Sequence, residues 1–198
     1  MQAKTKALVG TGILTAIVVV LQAMAIGIRF GTFSITLVLI PIVVGAALYG
    51  YKAGAWLGFV FGVVVLLTDA GAFLAINVPG TIITCILKGM LAGTAAGLVY
   101  KLLENKSRWA AVICAAVVCP IVNTGVFLLG CTVFFLDTIR EWGQGAGFEN
   151  VGVYMIVGFV GINFLIEMGV NIMLSSVIVR IMDIIKKPKA PAEKSEGV

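Results

Sequence analysis

The chain contains no histidine. That removes the side chain most often used as a catalytic base near neutral pH and as a metal ligand. Charge is scarce as well, at 12% of residues. No G-x-x-x-x-G-K-[ST] loop occurs, which excludes ATP hydrolysis by the P-loop route. The four cysteines, Cys85, Cys114, Cys119 and Cys131, lie in apolar stretches without a CxxC pair. They read as small buried hydrophobes rather than a disulfide or metal site. Serines are scattered, so no nucleophile–base pair suggests an intramembrane enzyme. Neither a cofactor nor a metal is expected.

What the chain has in abundance is apolar surface. Hydrophobic residues make up 61% of its 198 residues, and the mean hydropathy is +1.13. Apolar runs near the roughly 20 residues needed to cross a bilayer recur along the whole length. This pattern predicts an all-α membrane protein, a bundle of six transmembrane helices with both termini cytoplasmic. The spans read as 7–28, 35–50, 53–68, 80–102, 109–136 and 154–185, the second and third being short. Residues 1–185 form one transmembrane substrate-binding domain. The tail "KKPKAPAEKSEGV" at 186–198 reads as disordered. The small residues "AMA" at 23–25, after a basic start, also resemble a signal-peptide cleavage site, which would leave five spans.

The net charge of +5 could suggest a nucleic-acid partner. Its placement argues otherwise. Eleven of the fourteen basic residues fall at the termini and in the links 51–52 and 101–108, or close by. Arg29 and Arg140 lie in links at the other end, and Lys88 is inside a span. The bias is the positive-inside rule, and it puts the Lys-rich end in the cytoplasm. The opposite links hold "RFGTFS", "TDAGAFLAINVPG" and "DTIREWGQGAGFENVGV". They are longer and rich in glycine and aromatics, as expected of a lid over a site.

Two glycine series stand out. Gly54, Gly58 and Gly62 lie in the third span, and Gly89, Gly93 and Gly97 in the fourth. Each is a GxxxGxxxG groove that lets another helix approach closely. Gly12 and Ala16 repeat the spacing in the first span. Such grooves pack helices within a bundle or dock a partner membrane protein. Internal packing is the reading for the fourth span; both remain open for the first and third.

The remaining signal is polar. Asn163, Glu167 and Asn171 recur every fourth residue and share one stripe of the last span, which must face the interior or a cavity. Pro120 in "CPIVNTG" interrupts the fifth span just before Asn123 and Thr124, a break tolerated where polar groups re-satisfy the backbone. Lys88 stands in the middle of "TIITCILKGMLAG". By helical rise these residues fall in one layer reachable from outside. The layer reads as a solute pocket with Lys88 as its charged anchor, or as a Lys88–Glu167 pair locking two helices.

The start with Gly12 and Ala16, "LIPIVVGAALYGYKAGAWLGFVFG" at 39–62 and "LKGMLAGTAAGLVYKLL" at 87–103 resemble the S component of energy-coupling factor (ECF) transporters. The resemblance is greatest to the group of riboflavin, folate and pantothenate binders. It implies a bacterial plasma-membrane subunit that captures a vitamin or related micronutrient from outside. It implies docking on a membrane T component bound to two cytosolic ATPases, which supply the ATP hydrolysis of an ABC importer. It further implies a substrate site at Arg29, Asn77, Thr84, Lys88, Asn123, Trp142, Asn163 and Glu167. Partner docking falls on Gly12, Ala16, Gly54 and Gly58; the family's AxxxA pattern reads Gly12-x-x-x-Ala16 here. Lys88 and Arg29 suit an anionic group, while Glu167 and the asparagines suit hydroxyls or amides, a mix that fits pantothenate. Riboflavin would stack on Phe73, Trp142 or Phe148. A self-contained transporter or channel is the alternative.

Overall fold

The computed structural model describes residues 2–25, 29–30, 33–34 and 37–186. Nearly all of them are helical. The order is α1 (Gln2–Ala25), the two-residue strands β1 (Arg29–Phe30) and β2 (Phe33–Ser34), α2 (Leu39–Tyr49), α3 (Tyr51–Thr68), α4 (Gly71–Leu74), α5 (Val78–Leu103) and α6 (Arg108–Phe134). Then follow α7 (Leu136–Gly145), α8 (Val151–Val153), a π-helical stretch (Tyr154–Gly161) and α9 (Ile162–Lys186). The tail beyond residue 186, and the ends of the first two expected spans at 26–28 and 35–36, lie outside the described residues.

Helix starts follow local chemistry. Asn77 caps α5, its Oδ1 accepting from the Gly80 amide at 3.0 Å, with Pro79 in the first turn. Ser107 caps α6 through the Ala110 amide at 3.4 Å. Asn150 Oδ1 accepts from Gly152 and Val153 at 2.8 and 3.2 Å and opens α8. Gly50 joins α2 to α3 in a one-residue turn at φ +89°, a left-handed conformation that favours glycine. Pro120 does not end α6, which continues to Phe134.

Five helices among the described residues are long and apolar enough to cross a membrane: α1, α3, α5, α6 and α9. The chain is therefore an all-helical, multi-pass membrane protein. The second expected span appears as α2, which has 11 residues. At about 1.5 Å per residue it covers about 17 Å, roughly half the hydrocarbon core. Apolar around its whole circumference, α2 is buried continuously from Pro41 to Ala47, in contact with α1, α3, α5, α6 and α9. The sixth expected span begins in the π-helical stretch before becoming α-helical at Ile162.

The two glycine series meet each other. A Cβ on Gly54 would strike the carbonyl of Gly93, one on Gly58 the carbonyl of Gly89, and one on Gly62 the carbonyl of Cys85. The helices α3 and α5 thus run antiparallel with backbones in contact, and Gly97 meets the start of α3 at Tyr51. Gly54 and Gly58 are buried in this seam. That places two of the four residues expected on a docking surface inside the bundle. Gly12 has nothing within 4 Å of its would-be Cβ, and both it and Ala16 are exposed.

Two apolar clusters result. The larger joins α2, α3, α5, α6 and α9 around Leu39, Ile42, Leu57 and Ile178. The smaller caps the end away from the Lys-rich links, around Cys131, Phe135, Ile139 and Met155.

Candidate functional site

Lys88 stands where the two clusters meet. It lies in α5 ten residues beyond Val78, about 15 Å from the end of the helix. Its Nζ lies 5.7 Å from the Phe61 ring centroid and 5.0 Å from that of Phe127. Phe61 belongs to the large core, Phe127 to the capping cluster. Both distances are within cation–π range.

The α5–α6 seam sets the neighbourhood. Thr84, one turn before Lys88, is buried against Gly130, where any Cβ would strike its side chain. Asn123, one turn before Phe127 on the same face of α6, is also buried. Thr84 Oγ1 and Asn123 Oδ1 make no hydrogen bond. Buried polar atoms are rarely left so.

Helix α9, which carries Asn163, Glu167 and Asn171, packs against α6. Cys119 and Phe127 are eight residues apart on α6, about 12 Å along the helix. Asn123 lies midway. Lys88 thus meets α6 at the level of Phe127, one turn from Asn123. Asn163 and Asn171 flank Glu167 by one turn each; Asn171 Nδ2 donates to the Glu167 carbonyl at 2.8 Å.

The end cap is aromatic. Phe73 of α4 is its centre, with ring centroids at 5.0 Å from Phe135, 5.6 Å from Trp142, 5.8 Å from Phe127 and 6.3 Å from Phe159. Most of these contacts are edge-to-face or tilted, the favoured geometry for aromatic pairs. Phe127 stacks on Phe159, and Phe159 on Tyr154, which meets Phe148. Helix α7 lies over this cluster with Ile139 and Gly143 buried and Asp137, Arg140 and Glu141 exposed. The glycine- and aromatic-containing links fold as the short elements α4, α7 and α8, which pack with the π-helical stretch through these rings.

Of the expected site residues, the structure gathers Thr84, Lys88 and Asn123 in one region and lines Glu167 and Asn163 along the adjoining helix. Trp142 sits in the cap. The side-chain oxygen of Asn77 is engaged in capping α5. Arg29 is in β1, and its side chain lies outside the described residues. Sequence reasoning missed Phe61, Phe127 and Phe159, since a phenylalanine in an apolar run carries no signal of its own. It also missed Gln22 of α1, which is 2% exposed with Oε1 making no hydrogen bond. A lone amide in an apolar span was the clue to that one.

The family model of the ECF transporter substrate-specific component matches residues 6–179. The chain belongs to that family. No curated protein and no solved structure matches it. As an S component it is a substrate-specific transport subunit, not an enzyme.

Proposed function

We propose that this S component captures a water-soluble vitamin or related micronutrient for an ECF-type ABC importer, with pantothenate as the substrate. One observation carries the proposal: an ammonium, Lys88, and two buried oxygens without hydrogen bonds, Thr84 Oγ1 and Asn123 Oδ1, lie along one seam beneath an aromatic cap. A carboxylate would take the ammonium, and hydroxyl or amide hydrogens would complete the oxygens. Asn163 and Glu167 extend the polar lining, and Arg29 and Asn77 contribute from the capping end.

The chain passes the membrane six times, with α2 contributing to one of the passes. Both termini are cytoplasmic, in the plasma membrane of a bacterium, and the cap faces outward. A membrane T component docks on α1 at Gly12 and Ala16, and two cytosolic ATPase subunits supply the energy. A second reading has one observation in its favour: the cluster of Phe73, Trp142 and Phe159 suits a flat ring, as in riboflavin.

Mass spectrometry of the solute that co-purifies with the detergent-solubilised protein, followed by titration calorimetry, tests both. Pantothenate bound at micromolar affinity or tighter is the expected result. A flavin in its place selects the second reading. Uptake by this chain alone in ATP-depleted vesicles would overturn the importer assignment.

A further inference from the structure

A groove of about 640 Å³ runs between α1 and the α2–α3 hairpin, at the Lys-rich end and well away from Lys88. We propose that it binds one anionic phospholipid from the leaflet at that end. This proposal is independent of the substrate reading.

The groove has the two-part chemistry of a lipid. Its walls are mainly carbon, from Leu8, Gly12, Trp56 and their neighbours. Lys4 and Lys52 also line it, and both are exposed. Among the described residues no carboxylate pairs with either. Long lysine stems lie along apolar surface and carry the ammonium to the membrane interface, which provides a receptor for a phosphate. Deeper in the groove no charged side chain lines the wall, and Trp56 Nε1 donates to Thr15 Oγ1 at 3.2 Å while Thr15 Oγ1 donates to the Thr11 carbonyl at 2.8 Å. That end offers a headgroup no charge and suits an acyl chain.

Length decides between a lipid and a helix of a partner. From Lys4 to Thr15 the groove follows α1 for eleven residues, about 17 Å. That is close to one leaflet of a hydrocarbon core of roughly 30 Å, whereas a crossing helix needs the whole depth. Gly12 is shared with the proposed T-component surface, so the lipid and the partner meet at the same face.

The test uses the full-length protein in detergent micelles with equal amounts of dioleoyl phosphatidylglycerol and dioleoyl phosphatidylcholine, with retained lipid counted by native mass spectrometry. The wild type should retain phosphatidylglycerol preferentially, one molecule per chain. The double variant Lys4→Gln/Lys52→Gln should lower that retention about thirtyfold, as expected when two ammoniums leave an anionic surface. Lys4→Arg/Lys52→Arg should restore it. Lys6→Gln, outside the groove, should change nothing. Gly12→Leu, where a side chain has open space, should lower retention with every lysine in place. Equal retention of the two lipids overturns the proposal, as does an effect of Lys6→Gln as large as that of the double variant. An arginine pair that behaves like the glutamine pair overturns it too.

Discussion

The ammonium of Lys88 lies 5.0 Å from the ring centroid of Phe127, on the boundary between the bundle core and its aromatic cap. The magnitudes show why this matters. A desolvated cation–π contact contributes about 2 kcal/mol or more. Removing an ammonium from water costs several kcal/mol. Lys88 is only partly buried, and its two rings offset part of that cost while leaving the positive charge open to an anion. An anion entering the seam gains from it, while an apolar solute does not.

Replacing Lys88 should therefore weaken substrate binding. Lys88→Met keeps the stem and removes the charge, and combining it with Glu167→Gln removes a carboxylate that the first change could strand. The double variant should remain folded and bind about ten- to a hundredfold more weakly, the equivalent of about 1.5–3 kcal/mol for a hydrogen bond to a charged group. Titration calorimetry with the co-purified solute measures it. Wild-type affinity in a folded double variant would instead assign Lys88 to helix locking.

The cap should report substrate arrival. Trp142 contacts both Phe73 and Phe159, and Phe159 stacks on Phe127 beside Lys88. With Trp56 and Trp109 changed to Phe, the emission of Trp142 should shift on addition of substrate. In the same background Phe127→Leu should reduce the shift. An unchanged spectrum at saturating substrate would show that the cap does not respond.

The glycines of the α3–α5 seam should control stability, and Gly12 should not. Gly58→Ala forces a methyl against the Gly89 backbone, and such overpacking typically costs about 1–3 kcal/mol. Thermal unfolding in detergent should show a clear loss for Gly58→Ala and none for Gly12→Ala. Comparable melting of both variants would mean that the α3–α5 seam relaxes freely.

Bulk at Gly12 should act on partner docking. Gly12→Leu is expected to abolish co-purification with the T component while leaving solute affinity within about twofold, because open space receives the side chain and surface changes of this kind cost little. Parallel loss of solute affinity would place Gly12 in the bundle core.

Orientation is read by thiol labelling in intact cells. Gln144→Cys, on the exposed end of α7, should react with an impermeant maleimide, and Ser195→Cys in the tail should not. The opposite pattern would turn the site toward the cytoplasm.

Much of the architecture was legible in the sequence because the bilayer imposes simple rules. Each apolar run must close its backbone hydrogen bonds within itself, so it becomes a helix. The lengths of α1, α3, α5, α6 and α9 follow from that constraint. Lys88, Asn123 and the Asn163–Glu167–Asn171 stripe were visible because a polar group in an apolar run has no local explanation. The partners of each helix face were not visible. A GxxxGxxxG groove accepts any helix with a smooth surface, and only the bundle decides that Gly54 faces Gly93 and Gly58 faces Gly89 while Gly12 faces outward. The shortness of α2 has a similar origin, since an all-apolar segment reads alike whether it crosses the membrane or fills the centre of a bundle. The aromatic setting of Lys88 was the least legible of all. Phe61, Phe127 and Phe159 come from α3, α6 and the π-helical stretch, each apolar among apolar neighbours. Their convergence depends on the antiparallel seam of α3, α5 and α6, which brings distant rings around one charge.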